Sequence, residues 1–291
     1  MGKGLQSPKS EKQVEELEPV LSSIMTAEEY ARVEHASPYI FELNTRSKGL
    51  YYFGSPHTGE PSHSVFSEIE AAFNRANSDI VFVEGFHIKD KQRICDWLNG
   101  ISREEAIEKM GESAFTVKLA LEKGIDWHSP EPADEDLFND LISEGFSKDE
   151  IFAHYVLHIL PQYIRQKKKE GFEEYIKPYI QNFKRSTNWE GFDYSYGRAI
   201  KLAEQIVGRA IDIENDQNAS DQIDPIPWKE KRETQTVLNE ISRASSVFRD
   251  RNIVSDIVKT LKTHKCIFIV YSYSHAIMQE PALKKLFESG I

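Results

Sequence analysis

Two short, continuously apolar runs constrain this chain most: Ile80 to Val83, entered from Asp79, and Cys266 to Val270. Neither run alternates with polar residues, and each is far shorter than a core helix. A strand covered on both faces reads this way, and such strands belong to parallel sheets flanked by helices. The residues ahead of Asp79 agree. Val65, Phe66, Ile69, Ala72, Phe73 and Ala76 recur at helical spacing, and Gly49 to Phe53 before them is another apolar run. The order strand, helix, strand follows. Tyr39 to Leu43 is joined to that first strand by the turn-rich Asn44 to Gly49 link, which predicts a hairpin.

Further on, Ser102 with Glu105 forms a capping-box pattern, and a helix over Ser113 to Lys123 is closed by Gly124. Ile125 to His128 reads as a strand, stopped by the prolines at 130 and 132. From Asp136 to about Lys184 the pattern is helical without strands; Ser147 with Glu150 opens a long helix that Pro161 is expected to kink. Helices are predicted over Tyr196 to Ile211, Trp228 to Val247, Asp250 to Lys262 and Pro281 to Ser289, with an exposed loop over Glu214 to Pro227. The expected fold class is α/β, a central, mainly parallel β-sheet flanked by helices, with a helical insertion. Its divisions are a flexible leader over 1–18, a core over 19–135, the insertion over 136–195 and a return to the core over 196–291.

With 40% hydrophobic residues, the 291-residue chain is rich enough to bury such a core. The formal net charge of −11 argues against general binding to phosphate backbones, so no nucleic-acid partner is expected. The one dense basic run, Arg165 to Lys169, suits a solvated helix end. No apolar stretch approaches the roughly 20 residues of a membrane span. The start lacks the apolar centre of a secretory signal, and Gln6 stands where a myristoylation signal has Ser or Thr. A cytoplasmic address is expected, with Cys95 and Cys266 as buried thiols rather than a disulfide.

Three ionisable residues fall at equivalent places: His57 after the strand ending at Phe53, Glu84 after Val83, and His275 after the run ending at Val270. In an α/β sheet the carboxyl ends of parallel strands form one edge, where ligand sites gather. The three are therefore expected to face one cavity. Gly54 is read as a tight exit from the first strand, and Gly85 as a turn beside Glu84. His128 and Glu131 close a further strand and can reach the same edge; Glu60 and His63 are either partners of His57 or ordinary loop residues. His154 and His158 share a helical face, but they lack the glutamate of a zinc-protease helix, and their apolar neighbours favour packing. The sequence holds no nucleophile-elbow serine, no Walker lysine loop, no dinucleotide glycine fingerprint and no paired-cysteine zinc motif.

Four pieces together resemble the superfamily that groups the TraB, PrgY, GumN and Tiki proteins with the erythromycin esterases and ChaN-like haem-binding proteins. Gly54-Ser-Pro-His57 is similar to the first Gly-x-x-His motif, and Asp79 to Gly85 to the strand-ending glutamate. Arg251-Asn252 is similar to an arginine-asparagine pair opening a late helix, and Ile267 to His275 to the final strand with its second histidine. Ser272 departs from the pattern, standing where the second motif has glycine, which puts the shape of that loop in question.

The resemblance implies a hydrolase acting on an ester, amide or peptide bond of a small-molecule or peptide substrate. His57, Glu84 and His275 would hold a divalent metal (Mn, Co or Zn) that activates water; in the metal-free version Glu84 would orient His57 as general base. Arg251 would stabilise the developing negative charge. Two alternatives stay open: a haem or small-ligand binder using the same pocket without turnover, and a scaffold or effector whose helical insertion engages a protein.

Overall fold

The computed structural model describes residues 17–166, 170–213, 223–225 and 235–290. The expectations for the leader, apart from its last two residues, for Lys167 to Lys169 of the basic run, for most of the 214–227 loop and for a helix start at Trp228 lie outside them.

The strands are β1 (Tyr39–Asn44), β2 (Gly49–Ser55), β3 (Ile80–Val83), β4 (Asp126–His128) and β5 (Cys266–Ser272). They form one sheet in the order β1-β2-β5-β3-β4. β1 pairs antiparallel with β2 as the predicted hairpin, and β2, β5, β3 and β4 run parallel. The α/β class and mainly parallel sheet are thus present.

The two most apolar runs are neighbours at the middle of the sheet, where both faces are covered. On one face Tyr51, Phe53, Val81, Val83, Phe268 and Val270 pack against α1 (Val65–Ala76), α2 (Lys91–Asn99) and α3 (Arg103–Lys123). On the other, Leu50, Tyr52, Ile80, Phe82, Ile267 and Ile269 pack with Ile253, Val254, Ile257 and Leu283. Period-two alternation sends successive side chains to opposite layers, so a strand between two helical layers must be apolar throughout. Asp79 fixes the start of the β3–β5 pairing: its carboxylate accepts the N–H groups of Lys265 at 2.9 Å and Cys266 at 3.0 Å.

Ser102 and Glu105 make the capping box that opens α3, and Gly124 ends it in the left-handed conformation. The helix is broken inside, at Met110 and Gly111, which divides it near the expected second start. α2 had no predicted counterpart. The two cysteines are free and half-buried rather than buried, with Trp127 Nε1 donating to Cys95 Sγ at 3.3 Å.

The chain divides into two compact units, residues 1–131 with 250–291, and residues 132–249. The sheet belongs to the first. The second contains α4 (Asp134–Ser143), α5 (Lys148–Gln166), α6 (Phe172–Thr187) and α7 (Tyr196–Val207), with an aromatic core that includes Phe138, Phe152 and Phe183. Ser147 and Glu150 make the expected reciprocal hydrogen bonds ahead of α5, which continues past Pro161 to Gln166. The return to the first unit falls at Asp250 rather than at residue 196. It falls inside one continuous helix, α8 (Val237–Leu261), where two helices were expected. α9 (Tyr273–Glu288) begins directly after β5, with Ser272 as N-cap, and carries Pro281 in its interior rather than at its start.

Candidate active site

Sheet register brings the site together. Val83 of β3 lies beside Val270 of β5, and Ser55 of β2 lies beside Ser272. The three chains therefore leave the sheet at the same edge: Glu84 is the first residue after β3, His57 the second after β2, and His275 sits in the first turn of α9.

Glu84 is the centre of the group. Its Oε2 accepts the backbone N–H of Ser272 at 2.9 Å, which places the carboxylate at the positive end of a 16-residue helix. His57 Nε2 stands 4.0 Å from Glu84 Oε2, and His275 Nε2 stands 3.6 Å from Oε1. The other ring nitrogen of each histidine is held elsewhere. His57 Nδ1 is 2.8 Å from Glu112 Oε1, and His275 Nδ1 is 2.6 Å from Asp250 Oδ1. A carboxylate can only accept, so each Nδ1 carries a proton, and the Nε2 of each ring is the nitrogen nearest Glu84. Access differs between them: the His57 side chain is 64% exposed, His275 only 9%.

Ser272 fits this arrangement without strain. Its φ of −59° and ψ of 148° suit any residue, so the backbone at this position does not require glycine. Gly54 has a different role from the expected tight exit. It lies inside β2, and a Cβ there would meet Ala276 Cβ and the Tyr39 carbonyl oxygen at 2.8 Å and Tyr273 Cα at 2.9 Å. Its missing side chain lets the start of α9, with His275, press onto the strand that leads to His57.

The two histidine partners, Glu112 and Asp250, were missed in the sequence. Glu112 follows Gly111, whose φ of 57° and ψ of −142° break α3. A Cβ at Gly111 would lie 2.8 Å from the Thr58 carbonyl oxygen, so only glycine lets the break approach the segment next to His57. A charged residue among the apolar Ile107, Ala114 and Phe115 was the available signal. Asp250 is fully buried in α8. Its Oδ1 also accepts from Gln279 Nε2 at 2.6 Å, and Gln279 Oε1 in turn accepts from Tyr52 Oη at 3.0 Å. Asp250 Oδ2 is buried with no hydrogen-bond partner among the described residues.

No protein-family model matches the chain, and comparisons with curated proteins and with solved structures give no significant match. The chemistry has to be read from these side chains. Two imidazoles and a carboxylate are a familiar donor set for a divalent ion. An ion bound at about 2.1 Å to a nitrogen and an oxygen holds them about 3.4 Å apart at a tetrahedral angle. The separations of 3.6 and 4.0 Å are wider and involve different oxygens of Glu84. Among the described residues, no group of three or more His, Cys, Asp or Glu is disposed to hold a metal ion. As placed, these residues do not fit one.

The remaining candidates lie elsewhere. Arg251 pairs with Glu18 through two hydrogen bonds, of 3.3 and 2.6 Å, instead of joining the histidine cluster. His128 Nε2 is 3.3 Å from Asp256, while Glu131 does reach the edge, its Oε1 lying 3.4 Å from the N–H of Gly85. His63 Nδ1 accepts the N–H of Val65 at the start of α1, and Glu60 accepts from Ser62, so both shape the loop.

In the second unit, His154 is a core residue. Its Nε2 lies 2.8 Å from Ser242 Oγ, whose own proton goes to the Ile223 carbonyl, so His154 is the donor. Burial and the neighbouring His158 push its pKa down to about 3. The unfolded chain then binds the extra proton between about pH 6.5 and 3, and stability present above pH 6.5 is lost as pH falls. Acidification from pH 6.5 to 4 is expected to cost on the order of 3 kcal/mol through this group. Thermal melts at pH 7.5 and 4.5 check it: His154→Leu should narrow the gap between the two, and an unchanged gap would show that other groups set the acid response.

Proposed function

We propose that the chain is a hydrolase of ester, amide or peptide bonds, with the erythromycin esterase and ChaN-like fold of the TraB, PrgY, GumN and Tiki grouping. The observation that carries this reading is the opposed pair of imidazoles. Each has its Nδ1 proton held by a separate carboxylate, and each points Nε2 at Glu84. A lone structural histidine has no use for such duplication.

In the proposed reaction a water lies between His57 Nε2 and Glu84, which are too far apart at 4.0 Å to bond directly. His57 removes one proton from it, and the hydroxide oxygen attacks the carbonyl carbon. Glu112 stabilises the imidazolium that forms. His57 then returns the proton to the leaving oxygen or nitrogen as the carbon–heteroatom bond breaks. Glu84 accepts the water's other hydrogen and keeps the water aligned. His275, held by Asp250, occupies the buried side of Glu84. The hydroxyls of Ser272 and Ser274, 2.9 Å apart beside the Ser272 N–H that anchors Glu84, offer uncharged donors to the oxyanion. Arg251 has no part in this scheme.

Turnover of ester, anilide and peptide reporters by the full chain, with and without a chelator, tests the reading. Hydrolysis that persists in chelator is expected. Loss on chelation, with recovery on adding Mn, Co or Zn, would overturn the metal-free mechanism and restore the metal-assisted one. No turnover of any reporter would count against hydrolysis itself.

A further inference from the structure

A cavity of about 440 Å³ opens in the first unit, lined by residues from Gly85 to Trp97 and by Lys109 and Met110. Its volume is in the range of small-molecule sites. Two features tie it to the candidate centre. Gly85, with φ of 84°, is the residue directly after Glu84, and Met110 belongs to the same helix break that aims Glu112 at His57. The backbone turns that set two of the site's carboxylates therefore also form the cavity wall.

The lining is chemically lopsided. Phe86 and Ile94 are buried in its wall, Trp97 is partly buried, and Met110 is 44% exposed, an unusual position for a large apolar side chain. Of the two cations, Arg93 is bound to Asp90 at 3.1 Å and contributes no net charge. Lys109 has no ion-pair partner among the described residues and leaves the cavity with an unbalanced positive charge. An apolar wall with one free ammonium selects an amphiphilic anion: an aromatic or aliphatic body that covers Trp97 and Met110, and a single carboxylate that meets Lys109.

We infer that this cavity binds the non-reacting part of the substrate, and that this part is an apolar group bearing one negative charge. The inference rests on the hydrolytic reading for its word substrate, but the binding it describes is measurable without turnover. The experiment is calorimetric titration of the full chain and of its His57→Ala variant with 4-phenylbutyrate, and with 4-phenylbutanol as the uncharged control. Saturable binding of the acid, about five- to tenfold tighter than the alcohol and kept in His57→Ala, is expected. Trp97→Ala should weaken both ligands, whereas Lys109→Met should remove the preference for the acid and leave the alcohol unchanged. Equal affinity for acid and alcohol, no saturable binding, or indifference to both substitutions would overturn the inference. Failure of the hydrolytic reading shows separately, as the absence of turnover of any reporter ester while 4-phenylbutyrate still binds.

Discussion

His57→Ala is expected to lower kcat/KM for a reporter ester by about 10²- to 10⁴-fold, the range contributed by a well-placed general base, with a much smaller fall in melting temperature than Asp250→Ala. The second half of that expectation follows from exposure. The side chain is 64% exposed, so its removal leaves no cavity and uncovers little apolar surface. Glu112 keeps a hydrogen-bond contact with the Thr58 N–H, at 3.5 Å. His57→Gln separates steric from acid–base effects: the amide fills similar space but cannot take a proton from water, and its rate should match that of alanine. Steady-state kinetics with a thermal melt of each variant checks the pair. Full turnover by His57→Ala would defeat the assigned role.

The largest loss of stability is expected at Asp250. Asp250→Ala strands the Nδ1 proton of His275 and the Nε2 amide of Gln279, both buried and both now 2.6 Å from the same oxygen. Removing one partner of a buried charge-assisted network costs about 3 kcal/mol, or about 6 to 12 °C in the melting of a unit of this size. Asp250→Asn retains an acceptor oxygen and most of the volume, and should recover more than half of that stability. It should not recover the rate: without its anionic partner His275 no longer holds a fixed tautomer against Glu84, and kcat should stay at least about tenfold down while KM changes little. Differential scanning calorimetry beside kinetics separates the two effects. An asparagine variant with full kcat would make Asp250 a purely structural residue.

How much of this was legible in the sequence varies with the kind of contact. The sheet was readable because strands between two helical layers have no polar side to hide; β3 and β5 are apolar throughout, and the hairpin joining β1 to β2 is marked by its turn residues. Helix starts were readable where a side chain caps them, as at Ser102 and Ser147. They were misplaced where no loop separates two elements. β5 passes into α9 at Ser272 itself, and Pro281 looked like a first-turn proline although it lies two turns inside. A break between Val247 and Asp250 was expected, yet α8 runs straight through, and Asp250 Oδ1 accepts hydrogen bonds from His275 and Gln279 of α9. That hydrogen bonding is tertiary and leaves no local trace.

The same division holds for the site. His57, Glu84 and His275 could be picked out because strand ends of a parallel sheet converge, whichever helices cover them. Glu112 and Asp250 were not, since a carboxylate within a helix ordinarily marks the solvent face, and the apolar neighbours of Glu112 were the one signal against that. Arg251, singled out by its motif, instead anchors Glu18.

Nitrogen-15 shifts of the imidazole rings, measured at a pH where both are neutral, test the account at its centre. Protonated Nδ1 and bare Nε2 are expected for His57 and His275 alike, with the His57 signal alone reverting to the mixed tautomers of a free ring in Glu112→Gln. Nε2-protonated neutral rings in the unaltered protein, or a His57 indifferent to Glu112, would contradict the claim that separate carboxylates fix the Nδ1–H tautomer of two rings beside Glu84.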